Sequence, residues 1–538
     1  MRKQVLILNI TRMGDLVQTV PLLARLEQEW PGVAIDLAID TRLASVAALL
    51  PGLRQVLTYD FHDLRAKSRL APGAEGLSPE LTACARSLAA VGYDRVINLT
   101  FTRWSGVLAE AIGAPDTRGA VTVKGISILK NDWLAYIVDR YRFRRVNRFN
   151  VADLFALGGS GPGRWMPIHL VIPPHAAQWA EEWLQSNCAG RILVAVQVGA
   201  SHVRKAWRPE YFGRTMAALS RQAAVAFVLI GTADEGEPAG RALAAFQAAG
   251  GTGEVCNAVG QTDVAQLAAL LKRCRLMLTN DTGPMHLALG GGTPVINLSM
   301  GHVDFRETGP YGPGHWVIQP DIACGPCELE HACTQYACKE HILPDQVASL
   351  AMHVLSLGPF PERWSGVSVF ESAVDAEGLV TYHQRAGRRD SVADWYGLFW
   401  RHHWYEQFTG EAGRVTIERA PAEVSAQLER VHQIVPRVDR IVLCAERLRD
   451  LCHEPSVTQA MLKAAQDELI RERQQVMPLA MQSPLCGPIT VALVRKLYDG
   501  RALRGKARAE QQAHAYSVWR GQMQSVIEQL SSCAVIAR

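Results

Sequence analysis

Three short segments of this 538-residue chain combine residue types that can hold an anion and move a proton. The first is Thr279-Asn280-Asp281-Thr282-Gly283-Pro284-Met285-His286, which follows an apolar strand and opens the apolar run Leu287-Ala288-Leu289. The amino end of a helix presents backbone N–H groups and the positive end of its dipole, so it suits a diphosphate or an anionic sugar. Asp281 and Thr282 are also good capping residues, and Pro284 fits a first helical turn. A lone Asp-Thr-Gly is more often a capped helix start than a site. The full length of the segment, with His286 one turn into the helix, favours function.

The second segment is Gly199-Ala200-Ser201-His202-Val203-Arg204-Lys205-Ala206-Trp207. Gly199 ends a buried strand, where the crevice of an open α/β sheet lies. Ser201 can donate to phosphate oxygens, and Lys205 can neutralise charge accumulating on a leaving diphosphate. A solvated basic loop is the bland alternative. The third segment, Arg12-Met13-Gly14-Asp15, is neither a P-loop nor the GxGxxG of a nicotinamide enzyme. Gly14 lets backbone approach a ligand closely. Asp15 either caps the next helix or serves as general base on an acceptor hydroxyl.

Together, MGDxxxTxP (Met13–Pro21), GASxxxKxW (Gly199–Trp207) and NDTGPMHLA (Asn280–Ala288) resemble the family 9 glycosyltransferases, the lipopolysaccharide heptosyltransferase family. The likeness covers about residues 1–357. It implies a GT-B fold, in which two Rossmann-like domains face a cleft, the acceptor in the first and the nucleotide-sugar donor in the second. It also implies inverting transfer without a metal ion, with ADP-heptose the expected donor and a glycolipid or glycan the acceptor. Carried over by motif, Asp15 matches the catalytic base. Gly14, Ser201, Lys205, Asp281, Thr282, Gly283 and His286 match donor-binding positions. The turn Gly231-Thr232-Ala233-Asp234-Glu235 resembles one whose acidic residue contacts the nucleoside; Glu235 is the candidate, with Asp234 the alternative. Ala200 departs from the family pattern by lacking a hydroxyl, which removes one phosphate contact.

Twelve cysteines are scattered except for Cys324, Cys327, Cys333 and Cys338, with His331 and His341 nearby. Four thiolates could close a structural zinc site, and free thiols are the alternative. Disulfide scaffolding is not expected in a large intracellular chain. The run Arg140–Arg148 is the most basic of the amino-terminal half. Arg144 and Arg145, with Arg103, are candidate contacts for an anionic acceptor or the inner face of the cytoplasmic membrane. A solvated helix face is the plainer reading. The net charge of +4 does not call for nucleic acid, and 48% hydrophobic with 20% charged residues is an ordinary soluble composition. The apolar stretch Val5–Ile10 is too short for a signal or a membrane helix, so a cytoplasmic location is expected.

The elements that must position these residues alternate strand and helix. Strands are expected at 4–10, 33–39 and 95–99, with a helix from 16 to 30. After Pro173-Pro174 the pattern restarts, with strands at 192–198, 225–230, 254–256, 275–279 and 294–298 and helices between them. A Gly- and Pro-rich loop is expected at 68–80. The domains are therefore 1–172, 173–358 and a mostly helical accessory domain over 359–538, where 421–475 and 505–532 read as long helices. Two other functions compete with transfer: a nucleotide-sugar epimerase on the same architecture, and a non-catalytic sugar-nucleotide-binding protein.

Overall fold

The computed structural model describes residues 2–63, 79–188, 191–327, 333–414, 417 and 420–535. The chain forms two compact units, each made of two chain segments. The first comprises Met1–His62 and Phe149–Arg389, the second Asp63–Arg148 and Asp390–Arg538. Both expected boundaries, 172 and 358, lie inside the first unit. Its linker is stitched down, because Leu170 N–H donates to the Gly290 carbonyl and Val171 N–H to that of Leu49.

Near-continuous apolar runs make buried parallel strands because helices flank both faces. In the first unit β1 (Gln4–Leu8) pairs in parallel with β2 (Ala34–Asp40), and β2 with β3 (Gln55–Tyr59). The expected helix 16–30 is two helices, Met13–Val17 and Val20–Glu29, because Pro21 begins the second. The same unit holds an eight-stranded sheet. Its strands are β7 (Ile192–Gln197), β8 (Val225–Ile230), β9 (Glu254–Asn257), β10 (Leu276–Asn280), β11 (Val295–Leu298), β12 (Trp316–Pro320), β13 (Val367–Val374) and β14 (Val380–Ala386), ordered β14-β13-β12-β11-β10-β7-β8-β9. Strands β7 to β12 pair in parallel, and β13 and β14 are antiparallel.

Strands β12 to β14 were not expected. Val367 and Val369 join the core on one face, and Phe370 packs with Phe305 and Val317 on the other. The alternation in VSVFESAV, closed by a turn with Gly378 at φ +75°, carried that signal. Residues 359–389 therefore extend the second sheet instead of beginning a helical region.

In the second unit β4 (Arg95–Asn98) runs parallel to β5 (Asp116–Val123), which pairs antiparallel with β6 (Ile126–Lys130). Helices Ser391–Thr409, Ala422–His453, Gln459–Gln482, Gly487–Asp499 and Gly505–Val535 make up its carboxy-terminal part. The single helix expected over 421–475 is thus two. The aromatic clusters are core: Trp133 packs edge-on to Phe408 at 4.9 Å, and Trp404 stacks on Phe408 at 5.1 Å. Arg495 pairs with Asp139 at 2.8 Å in the same interior. Most of the expected 68–80 loop lies outside the described residues; Pro79 starts a helix running to Ala89.

Candidate active site

Three strand ends of the first unit converge. The turn after β1 is set by Asn9, a fully buried residue whose amide donates to the Asp15 carbonyl (3.2 Å) and to Thr19 Oγ1 (2.9 Å). Thr19 Oγ1 donates to the same carbonyl at 3.1 Å, so the backbone beneath the half-buried Asp15 is held twice. This turn abuts the helix Gly283–Gly290. A Cβ on Gly14 would stand 2.9 Å from His286 Cδ2, and one on Gly283 2.9 Å from Met13 Sδ. Side chains at either position would force the two segments apart.

The end of β10 is tied to the end of β7 through Asn280. Its amide donates to the carbonyls of Val198 (2.9 Å) and Gly199 (3.1 Å), and its Oδ1 accepts from Trp207 N–H (2.9 Å). Trp207 is buried and donates its ring N–H to the Ile342 carbonyl, anchoring the far end of the turn. Lys205 is thereby aimed at the start of the helix, where Nζ donates to the Asp281 carbonyl at 2.8 Å. Thr282 is the cap residue in extended conformation and makes no side-chain capping bond.

Burial dominates the electrostatics. It pushes the Asp281 carboxyl up to about 6; Lys205 and a hydrogen bond from Thr308 Oγ1 (3.2 Å) oppose the rise, and the charges of Glu307 and Asp15 add to it. Lys205 is lowered by burial, against the pull of Asp281, and further by Arg12. His286, 4% exposed, is lowered to about 4 by burial and by Lys205, so it is neutral at pH 7. Its Nδ1 is buried without a hydrogen-bond partner. Two cations, an uncapped helix start and a neutral imidazole thus meet a carboxylate on the opposite turn.

Glycosyltransferase family 9 (heptosyltransferase) matches residues 81–336. Lipopolysaccharide heptosyltransferase 1 of Pseudomonas aeruginosa is 23% identical over 348 residues, 63% of this chain and 89% of that protein. Lipopolysaccharide core heptosyltransferase OpsX of Haemophilus influenzae is 46% identical over 55 residues, 10% of this chain and 16% of its own. Over residues 81–336 the chain is thus similar to glycosyltransferase family 9. Among solved structures, E. coli ADP-heptose lps heptosyltransferase II aligns with a TM-score of 0.50 at 17% identity, over 66% of this chain and 98% of that one. The fold is therefore GT-B, with an added carboxy-terminal region.

Gly14, Asp15, Lys205, Asp281, Thr282, Gly283 and His286 share one unit and gather as described. Glu235 folds inward: it accepts from Gln197 Nε2 (3.1 and 3.2 Å) and Thr232 N–H (2.8 Å), and a Cβ on Gly199 would overlap it. Asp234, the alternative, is exposed. Ser201 is exposed at the tip of its turn. Arg103, Arg144 and Arg145 belong to the second unit. Arg103 and Arg145 are exposed, and Arg144 lies 6.0 Å from the Tyr141 ring.

The four clustered cysteines line a cavity of about 80 Å3 beneath Met300 and Gly301. Burial raises the thiols of Cys327 and Cys338, and the neighbouring cysteines raise them further. Among the described residues no three His, Cys, Asp or Glu side chains are grouped so as to hold a metal ion. His331 lies outside the described residues. Against expectation, Cys188 and Cys256 form a disulfide joining the end of the helix Pro174–Asn187 to β9.

Arg12, Asn280 and Thr308 were not singled out from sequence. Arg12 and Asn280 lie within the quoted motifs, but Thr308 follows β11 with no local signature and is reached only through the fold.

Proposed function

We propose that this chain is an inverting, metal-independent heptosyltransferase that moves heptose from ADP-heptose to a lipopolysaccharide-type acceptor. The observation that carries the reading is the close packing of the Asp15 turn against His286, beside the Lys205–Asp281 contact. A base and a diphosphate cradle then lie on facing walls. Asp15 takes the proton of the acceptor hydroxyl as its oxygen bonds to the anomeric carbon, while the bond from that carbon to the phosphate oxygen breaks. Lys205, Arg12 and the helix start at Thr282 stabilise the charge gathering on departing ADP. Ser201 and Glu235 contact the phosphate and nucleoside ends of the donor. The named activities of the P. aeruginosa and E. coli relatives support this choice of donor and acceptor.

Substituting Asp15→Ala tests the assignment. Transfer from ADP-heptose to a heptose-acceptor glycolipid is expected to vanish while ADP-heptose affinity, measured by calorimetry, stays within about threefold. Equal loss of both would overturn the base role. The same donor incubated without acceptor separates transfer from epimerisation, since rapid formation of an epimeric donor would refute the transferase.

A further inference from the structure

A cavity of about 530 Å3 opens in the second unit, far in sequence from every motif discussed above. Three helices line it, each with residues at helical spacing. Arg473, Gln474, Met477 and Pro478 come from Gln459–Gln482; Val494, Leu497 and Tyr498 come from Gly487–Asp499, with Arg501 just beyond; Arg508 and Gln512 come from Gly505–Val535. Each helix wall or its end thus contributes one guanidinium, over a floor of Met477, Pro478, Val494, Leu497 and Tyr498. No carboxylate lines it.

The acids next in sequence are engaged elsewhere. Glu472 pairs with Arg440 (3.4 Å), Asp499 with Arg495 (3.5 Å), and Glu510 with His453 (2.8 Å). Arg501 sits 4.8 Å from the Tyr498 ring, and Arg473 bonds the Tyr516 hydroxyl. Neither contact supplies a counter-charge. Val494 and Tyr498 remain 44% and 45% exposed. Three clustered cations repel one another unless an anion joins them, and arginine forks suit phosphoryl oxygens. An apolar floor selects against a bare ion and for a phosphate carried on an apolar body.

We propose that this cavity binds the phosphoryl headgroup of a lipid. The inference is independent of the transfer reading. The full chain is tested by flotation with phosphatidylcholine vesicles, with and without phosphatidylglycerol, and by titration with inorganic phosphate. Binding to the phosphatidylglycerol vesicles alone is expected. Arg501→Glu/Arg508→Glu should weaken it on the order of tenfold or more, since each arginine near an anionic surface contributes several-fold. Val494→Asp, at an exposed apolar position, should also weaken it. The double variant Arg430→Glu/Arg437→Glu, on a separate cavity lined by Gln427, Leu479 and Gln482, makes the same charge change and should retain binding. Absence of vesicle binding, a phosphate response without it, or equal loss in the Arg430/Arg437 variant would each overturn the proposal.

Discussion

Replacing Asn280 with alanine should loosen the donor site without touching donor. Its side chain is fully buried and makes three hydrogen bonds, to the carbonyls of Val198 and Gly199 and from the N–H of Trp207. Asn280→Ala leaves one donor and two acceptors buried without these partners. At about 1 kcal/mol each, the low end for an orphaned group, the native turn loses about 3 kcal/mol. If the turn relaxes to recover about 2 kcal/mol of that, donor must pull it back, and Kd rises about thirtyfold. Calorimetric titration of ADP and ADP-heptose, beside urea unfolding, reads both parts. Asn280→Asp should fare no better, because it sets a carboxylate against two carbonyls. An unchanged Kd together with an unchanged urea midpoint for Asn280→Ala would refute the idea that this residue locks Lys205 in place.

Gly14→Ala should cost about 1–3 kcal/mol through overpacking against His286, and pairing it with His286→Ala in a double-mutant cycle should recover part of that stability. Lys205→Met should lower kcat by about a hundredfold or more, measured as initial transfer rate at saturating donor. The raised Asp281 carboxyl has a definite sign. Its folded value, about 6, exceeds the ordinary 3.8, so folding favours the protonated form and stability falls as pH rises from about 4 to 6. The shift amounts to about 3 kcal/mol, and urea midpoints of parent and Asp281→Asn should converge near pH 4 and separate towards pH 7, with the variant gaining. Parallel pH curves would contradict the burial of that charge.

Much of the site was legible because strand-end turns in an α/β sheet collect function, and all three turns carry a glycine within two residues of a polar one. Sequence could not separate capping from chemistry at Thr282 or Asp15. The structure supplies the missing link at Asn280, whose partners are about eighty residues away, where no local pattern reaches. The β13–β14 hairpin was missed for another reason. Aromatic density over 395–405 coloured the reading of the whole tail, although Val367, Val369 and Phe370 already alternated between two faces. That the Glu235 carboxylate accepts from Gln197, 38 residues away, is likewise visible only in the fold.

Each compact unit is closed by two chain segments, and this has a consequence for synthesis. Residues 63–148 must emerge from the ribosome and wait while 149–389 are made before their partners beyond 390 appear. At about 5–20 residues per second that delay is on the order of ten to fifty seconds. Throughout it Trp133 lacks Phe408 and the buried Asp139 lacks Arg495. The nascent chain thus carries β4 to β6 without the carboxy-terminal helices of their unit until after the first unit is complete. Chaperone dependence, and the damage done by premature termination, should fall on that interval.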